Sequence, residues 1–169
     1  MAVLAQPVAY TMEREAASLT ESFGSESYLS CSVVWSDPDL LEIETRVAFA
    51  GWSARERAYV TRDELREFAR ALDRVVAGAS SARLDAGQPN LGYATLDLFE
   101  YSRARHIGMH VTIGHAPDSG QVHTAHAKEL RFTVPVERGQ LALFANDLRS
   151  AVQLEAGEAF LPLPPNWLA

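Results

Sequence analysis

The chain has 169 residues, a formal net charge of -7 and an isoelectric point near 5.2. That acidic balance excludes a nucleic-acid surface, which needs clustered Lys and Arg against phosphates. With 47% apolar and 22% charged residues, the chain is not a disordered polymer; it fits one domain able to bury a core without metal or disulfide staples.

The lone cysteine, Cys31, rules out an intrachain disulfide and reads as a buried, inert thiol. The N-terminus lacks a basic stretch followed by an apolar run, so no signal peptide is expected. No segment approaches the ~18–20 apolar residues of a spanning helix. A cytoplasmic protein with no membrane contact is therefore expected. Lys128 is the single lysine beside an abundance of Arg and Ala, a composition that suggests a GC-rich bacterial source.

Residues 1–27 mix small, polar and acidic types and read as a weakly structured arm. Residues 28–157 read as a single α+β domain. Tyr28 to Trp35 is apolar or small and favours a strand. Asp37-Pro38-Asp39 supplies a turn. Leu41, Ile43, Thr45, Val47 and Phe49 then alternate with Glu42, Glu44, Arg46 and Ala48, the period of a half-buried strand, so these two runs predict a hairpin.

Thr61-Arg62-Asp63-Glu64 fits a capping box. Leu65, Phe68, Ala69, Leu72, Val75 and Val76 follow at spacings of three and four, the stripe of an amphipathic helix that Gly78 ends. The region 50–59 reads as the junction leading into that helix. A short strand is possible at Ala82–Asp85. Three more strands are expected at Tyr93–Tyr101, His106–Ile113 and Glu129–Glu137, each alternating. A second helix is expected from about Arg138 to Glu155, with Leu141, Phe144, Ala145, Leu148, Ala151 and Val152 as its stripe. Residues 158–169 hold Pro162, Pro164 and Pro165 and read as an irregular tail, packing on the body or on a partner. No internal repeat is evident. The expected architecture is α+β: one antiparallel sheet of about five to six strands, with two amphipathic helices on one face.

Such a sheet leaves a polar face. Glu42, Glu44, Arg46, Asp97, His106, His110 and Arg131 fall on it, together with Thr95, Thr112 and Thr133, and this face is the candidate partner-binding surface. Catalytic residues, metal ligands and a cofactor are not expected. His106 and His110 stand about 13 Å apart along a strand at ~3.3 Å per residue, too far to share a metal. His123 and His126 could chelate on a turn, but no cysteine or HExxH pattern supports them. There is no GxGxxG, P-loop or GxSxG. Glu42 and Glu44 are two carboxylates on one outward strand face, where nothing desolvates them, and read as exposed charges.

Phe49-Ala50-Gly51-Trp52, then Val60-Thr61-Arg62-Asp63-Glu64-Leu65-Arg66-Glu67-Phe68, and later Gln140-Leu141-Ala142-Leu143-Phe144-Ala145-Asn146-Asp147-Leu148 make residues 28–155 similar to bacterial proteins of the WapI-type immunity class and related uncharacterised families. The resemblance implies a small acidic α+β binder that neutralises a toxin, with Glu42, Glu44 and Asp97 steering a basic partner. It carries no functional residue with it, because the shared positions are core-forming. Two other readings stay open. One is a self-associating structural protein. The other is a small-molecule-binding domain with a pocket between sheet and helices, lined by Trp35, Trp52, Tyr59 and Tyr93.

Overall fold

The computed structural model describes residues 27–49, 51–88, 91–102, 104–115 and 128–164. The expectations for the arm at 1–26, for His123 and His126, and for Trp167 lie outside these residues. Strands β1 (Ser27–Ser36), β2 (Leu40–Phe49) and β3 (Trp52–Thr61) lead into helix α1 (Arg62–Ala77) and strand β4 (Ser81–Gln88). Strands β5 (Gly92–Glu100), β6 (Ile107–His115) and β7 (Lys128–Val136) lead into α2 (Arg138–Leu154) and β8 (Gly157–Leu163). No helix among the described residues is long and apolar enough to cross a membrane.

The class is α+β, and every sheet pairing is antiparallel. The expectation of one sheet of five to six strands is met only roughly. Among the described residues eight strands divide into two four-stranded sheets, sheet A in the order β3-β2-β1-β8 and sheet B in the order β4-β5-β6-β7. Alternation along a strand tells which side is buried but not which neighbour it chooses, so a division into two sheets leaves no mark on the pattern.

Two further corrections concern strands that the chain conceals. The region 50–59, expected as a junction, instead holds most of β3, whose inward residues are mostly small: Ala54, Ala58 and Val60 face in, while Arg55, Arg57 and Tyr59 face out. Residues 157–163, expected as irregular, form β8. Its Ala159, Leu161 and Leu163 are buried against β1, with Leu161 opposite Leu29 and Ala159 opposite Cys31. Pro162 is tolerated because β8 is an edge strand, where a missing N–H breaks no ladder. Pro135 sits on β7, an edge of sheet B, and shields it in the same way.

The chain does contain a repeat. It consists of two βββαβ units, and each gives its last strand to the sheet of the other: β8 completes sheet A beside β1, and β4 completes sheet B beside β5. The sequence trace is confined to the helices. Arg62-x2-Leu65-x2-Phe68-Ala69-x2-Leu72-x3-Val76 recurs as Arg138-x2-Leu141-x2-Phe144-Ala145-x2-Leu148-x3-Val152. The helices pack on one another antiparallel. The arginine opening each helix reaches the far end of the other: Arg62 bonds Glu155 at the end of α2, and Arg138 donates to the Val75 and Val76 carbonyls in the last turn of α1. Asp73 and Arg149, which occupy equivalent positions, pair across the helix interface. These are relations a two-fold axis imposes, with a residue meeting its own counterpart near the axis.

One hydrophobic cluster joins both sheets and both helices. Strand β3 lies against β4, β5 and β6. At that crossing Gly92 (φ 108°) stands where a Cβ would fall 2.6 Å from the Arg57 carbonyl oxygen, so only glycine permits both the turn and the approach.

The two helix starts are not equivalent. Thr61 Oγ1 accepts from the Glu64 amide at 3.2 Å and the Glu64 carboxylate accepts from the Thr61 amide at 2.9 Å, a complete capping box. Glu137 opens α2 with no side-chain cap. Thr61→Ala should therefore cost about 1 kcal/mol and lower Tm by about 2–4 °C, while Glu137→Ser should raise Tm by a similar or smaller step; paired thermal melts check both. Leu161→Ala should cost about 2–5 kcal/mol in a denaturant titration, as for a core leucine. A loss below about 0.5 kcal/mol would return this segment to the status of a loose tail.

Candidate functional site

The residues expected on one polar face belong to two. Glu42, Glu44 and Arg46 lie on the outward face of sheet A. Asp97, His110 and Arg131 lie on the outward face of sheet B. His106 precedes β6 rather than sharing its face, and its Nδ1 lies 3.1 Å from Ser102 Oγ. The correction follows from the division into two sheets.

Glu44, expected as an exposed charge, is 2% exposed. Register explains it. Arg57 stands directly across from Glu44 on β3, and Arg46 is two residues along the same strand. Arg46 Nε donates to Oε1 at 2.6 Å and Arg57 Nε to Oε2 at 3.1 Å, so each carboxylate oxygen has a guanidinium. Burial pushes the acid upward, but the bonds from Arg46 and Arg57 and the added field of Arg55 outweigh it and hold the carboxyl below its ordinary range. Glu44 thus fixes two arginines on one surface, with Arg55 close enough to add its field.

Aromatic side chains flank that cluster. Trp35 and Tyr59 stand on either side of Glu42 and meet edge to face at 6.4 Å. Tyr28 stacks on Phe160 at 5.3 Å. Trp35, Tyr59 and Phe160 are 47%, 46% and 43% exposed, large fractions for side chains of that size. Trp35, Trp52, Tyr59 and Tyr93 do not line a common pocket. The first and third lie on the outside of sheet A, Trp52 is largely in solvent, and Tyr93 lies on the outside of sheet B, bonded to Glu129.

Sheet B is knitted shut by its own pairs. Arg83 bonds Asp85 in a fork at 2.7 and 2.8 Å and reaches Asp97 at 3.6 Å. Arg131 pairs with Glu129, and His110 Nδ1 lies 2.6 Å from Thr133 Oγ1. The Phe99 ring stacks on His110 at 4.3 Å and lies over Gly108, whose missing side chain leaves room for it. This face offers few unengaged polar groups.

Among the described residues no three His, Cys, Asp or Glu side chains come together to hold a metal ion. Burial pushes the Cys31 thiol up to about 12, so it stays protonated and unreactive near neutral pH. No known protein family, curated protein or solved structure matches the chain.

The Glu44 cluster carries a pH signature. A carboxyl held below its ordinary range in the folded state contributes stability above its unfolded value near 4.5, and that contribution is lost as pH falls through the folded value. Glu44→Gln should cost about 1–2 kcal/mol at pH 7, less than a fully buried pair because both guanidiniums reach water. The gap between variant and wild type should narrow as pH falls below 4.5 in urea titrations. A constant gap from pH 7 to 3 would remove Glu44 from this role.

Proposed function

We propose that the chain is a binding protein that engages another protein through the outward face of sheet A. The observation that supports this most is the composition of that face. Exposed Trp35, Tyr59 and Phe160 share the face with Arg46 and Arg57, which are held in place over buried Glu44, and with Arg55, which stands across from Arg46. Tryptophan, tyrosine and arginine dominate interface hot spots, because they bring large rigid area and directional donors at low entropic cost. The face presents large rings and guanidinium groups to solvent, which suits macromolecular contact.

Within that reading, the partner is a toxin and the chain its immunity protein, as the resemblance to the WapI-type class implies. The steering role of Glu44 is replaced: its charge is spent on Arg46 and Arg57. The net charge of -7 still favours the approach of a basic partner, while contact rests on the aromatic and guanidinium groups.

Calorimetric titration with the products of the genes adjacent to this one tests the proposal. Trp35→Ala and Tyr59→Ala should each weaken binding by about 30-fold, corresponding to about 2 kcal/mol, with Tm unchanged. Leu143→Ala, 59% exposed on α2, should bind as wild type. Equal affinity of all four proteins, or no binding by any neighbouring product, would overturn the proposal.

A further inference from the structure

A cleft of about 640 Å³ opens at one end of sheet B, within the ~300–1,000 Å³ range of small-molecule sites. It lies where β5 ends, β6 begins, β7 runs into α2 and β8 finishes. Its floor is apolar and buried: Ile107, Val136 and Leu163 are 3%, 8% and 5% exposed. Tyr101 and His106 form an aromatic wall, with ring centroids 5.8 Å apart. Arg105 and Arg138 supply the charge.

Both guanidiniums are fixed by backbone oxygens. Arg138 donates to the carbonyls of Val75, Val76 and Arg105, at 2.6, 3.2 and 2.8 Å. Arg105 donates to the Gly78 carbonyl and to Glu100, the latter at 3.1 Å. Carbonyl contacts orient a guanidinium without cancelling its charge. Glu137 lines the cleft beside these two cations and Glu100 pairs with Arg105 from just outside it, so among the described residues Arg138, held by carbonyls, is the cation that keeps the rim positive. An apolar floor, a stackable wall and a preset positive rim are complementary to one kind of ligand.

We propose that this cleft binds a small organic anion with a flat apolar body, the ring system lying on Ile107, Val136 and Leu163 beside Tyr101 and the acidic group facing Arg105 and Arg138. The site adjoins the sheet A face at Pro162 but contains neither Trp35 nor Tyr59 nor the arginines over Glu44, so either can fail without the other.

The probe is 8-anilinonaphthalene-1-sulfonate, an aromatic body with one sulfonate, titrated into the full chain by fluorescence and calorimetry. Saturable binding at one equivalent is expected. Ala104→Trp, which places a ring in the mouth from an exposed position, should weaken it at least ten-fold with Tm unchanged. N-phenyl-1-naphthylamine, the same body without the sulfonate, should bind at least ten-fold more weakly. Non-saturating binding, insensitivity to Ala104→Trp, or equal affinity for the neutral probe would each overturn the proposal. So would binding that appears only in Trp167→Ala, which would make residues 165–169 the occupant.

Discussion

Leu161 opposite Leu29 and Leu84 opposite Leu96 are the contacts on which the rest of the molecule depends. In each, a strand that follows a helix crosses to the other half and completes its sheet. Neither βββα segment can satisfy the inner edge of its first strand by itself. The exchange binds the halves through main-chain ladders as well as through side chains, and so keeps α1 and α2 side by side. The arginines at the helix starts then find the opposite helix ends within reach, and Asp73 finds Arg149. Symmetry here is a consequence of strand exchange, and only the helix stripes retain it as sequence.

Division into two sheets also decides what the surfaces can do. A single polar face would have mixed Glu44 with His110. Instead, each sheet turns its own face outward. Sheet B neutralises its charges locally, through Arg83 with Asp85 and Arg131 with Glu129. Sheet A leaves large rings partly in water and fixes two arginines on one carboxylate, with Arg55 adding its field. Two surfaces of similar composition thus differ in how much binding capacity remains after folding, and the difference is set by register.

Much of the fold was legible where periodicity is local. The capping box at Thr61 and Glu64 and both helix stripes depend on residues three and four apart, and the structure has them where the spacing predicts. Strand β3 was illegible because its inward positions hold Ala54 and Ala58 while its outward ones hold Tyr59 and two arginines, which inverts the usual cue. Strand β8 was illegible because Pro162 signals irregularity unless the strand is known to be an edge, and edges are a property of the assembled sheet. The candidate site was legible only as a list of outward residues. That Glu44 would be covered depended on which residue of β3 faces it, and cross-strand partners are not written in either strand alone. The cleft beside Arg105 draws residues from three separate stretches, 101–107, 135–140 and 162–164, and no short window contains it.

The pairing of β1 with β8 has a consequence for synthesis. Val33 and Gly157, its closest partners in sequence, lie more than a hundred residues apart. On a ribosome, β1 emerges early and keeps one edge open until nearly all later elements have been made. Such an edge invites pairing with other nascent chains, and closing so long a loop slows the final step. The molecule is therefore most prone to aggregation just before β8 emerges, and production at low temperature or slow translation bears on this strand more than on any other described part of the fold.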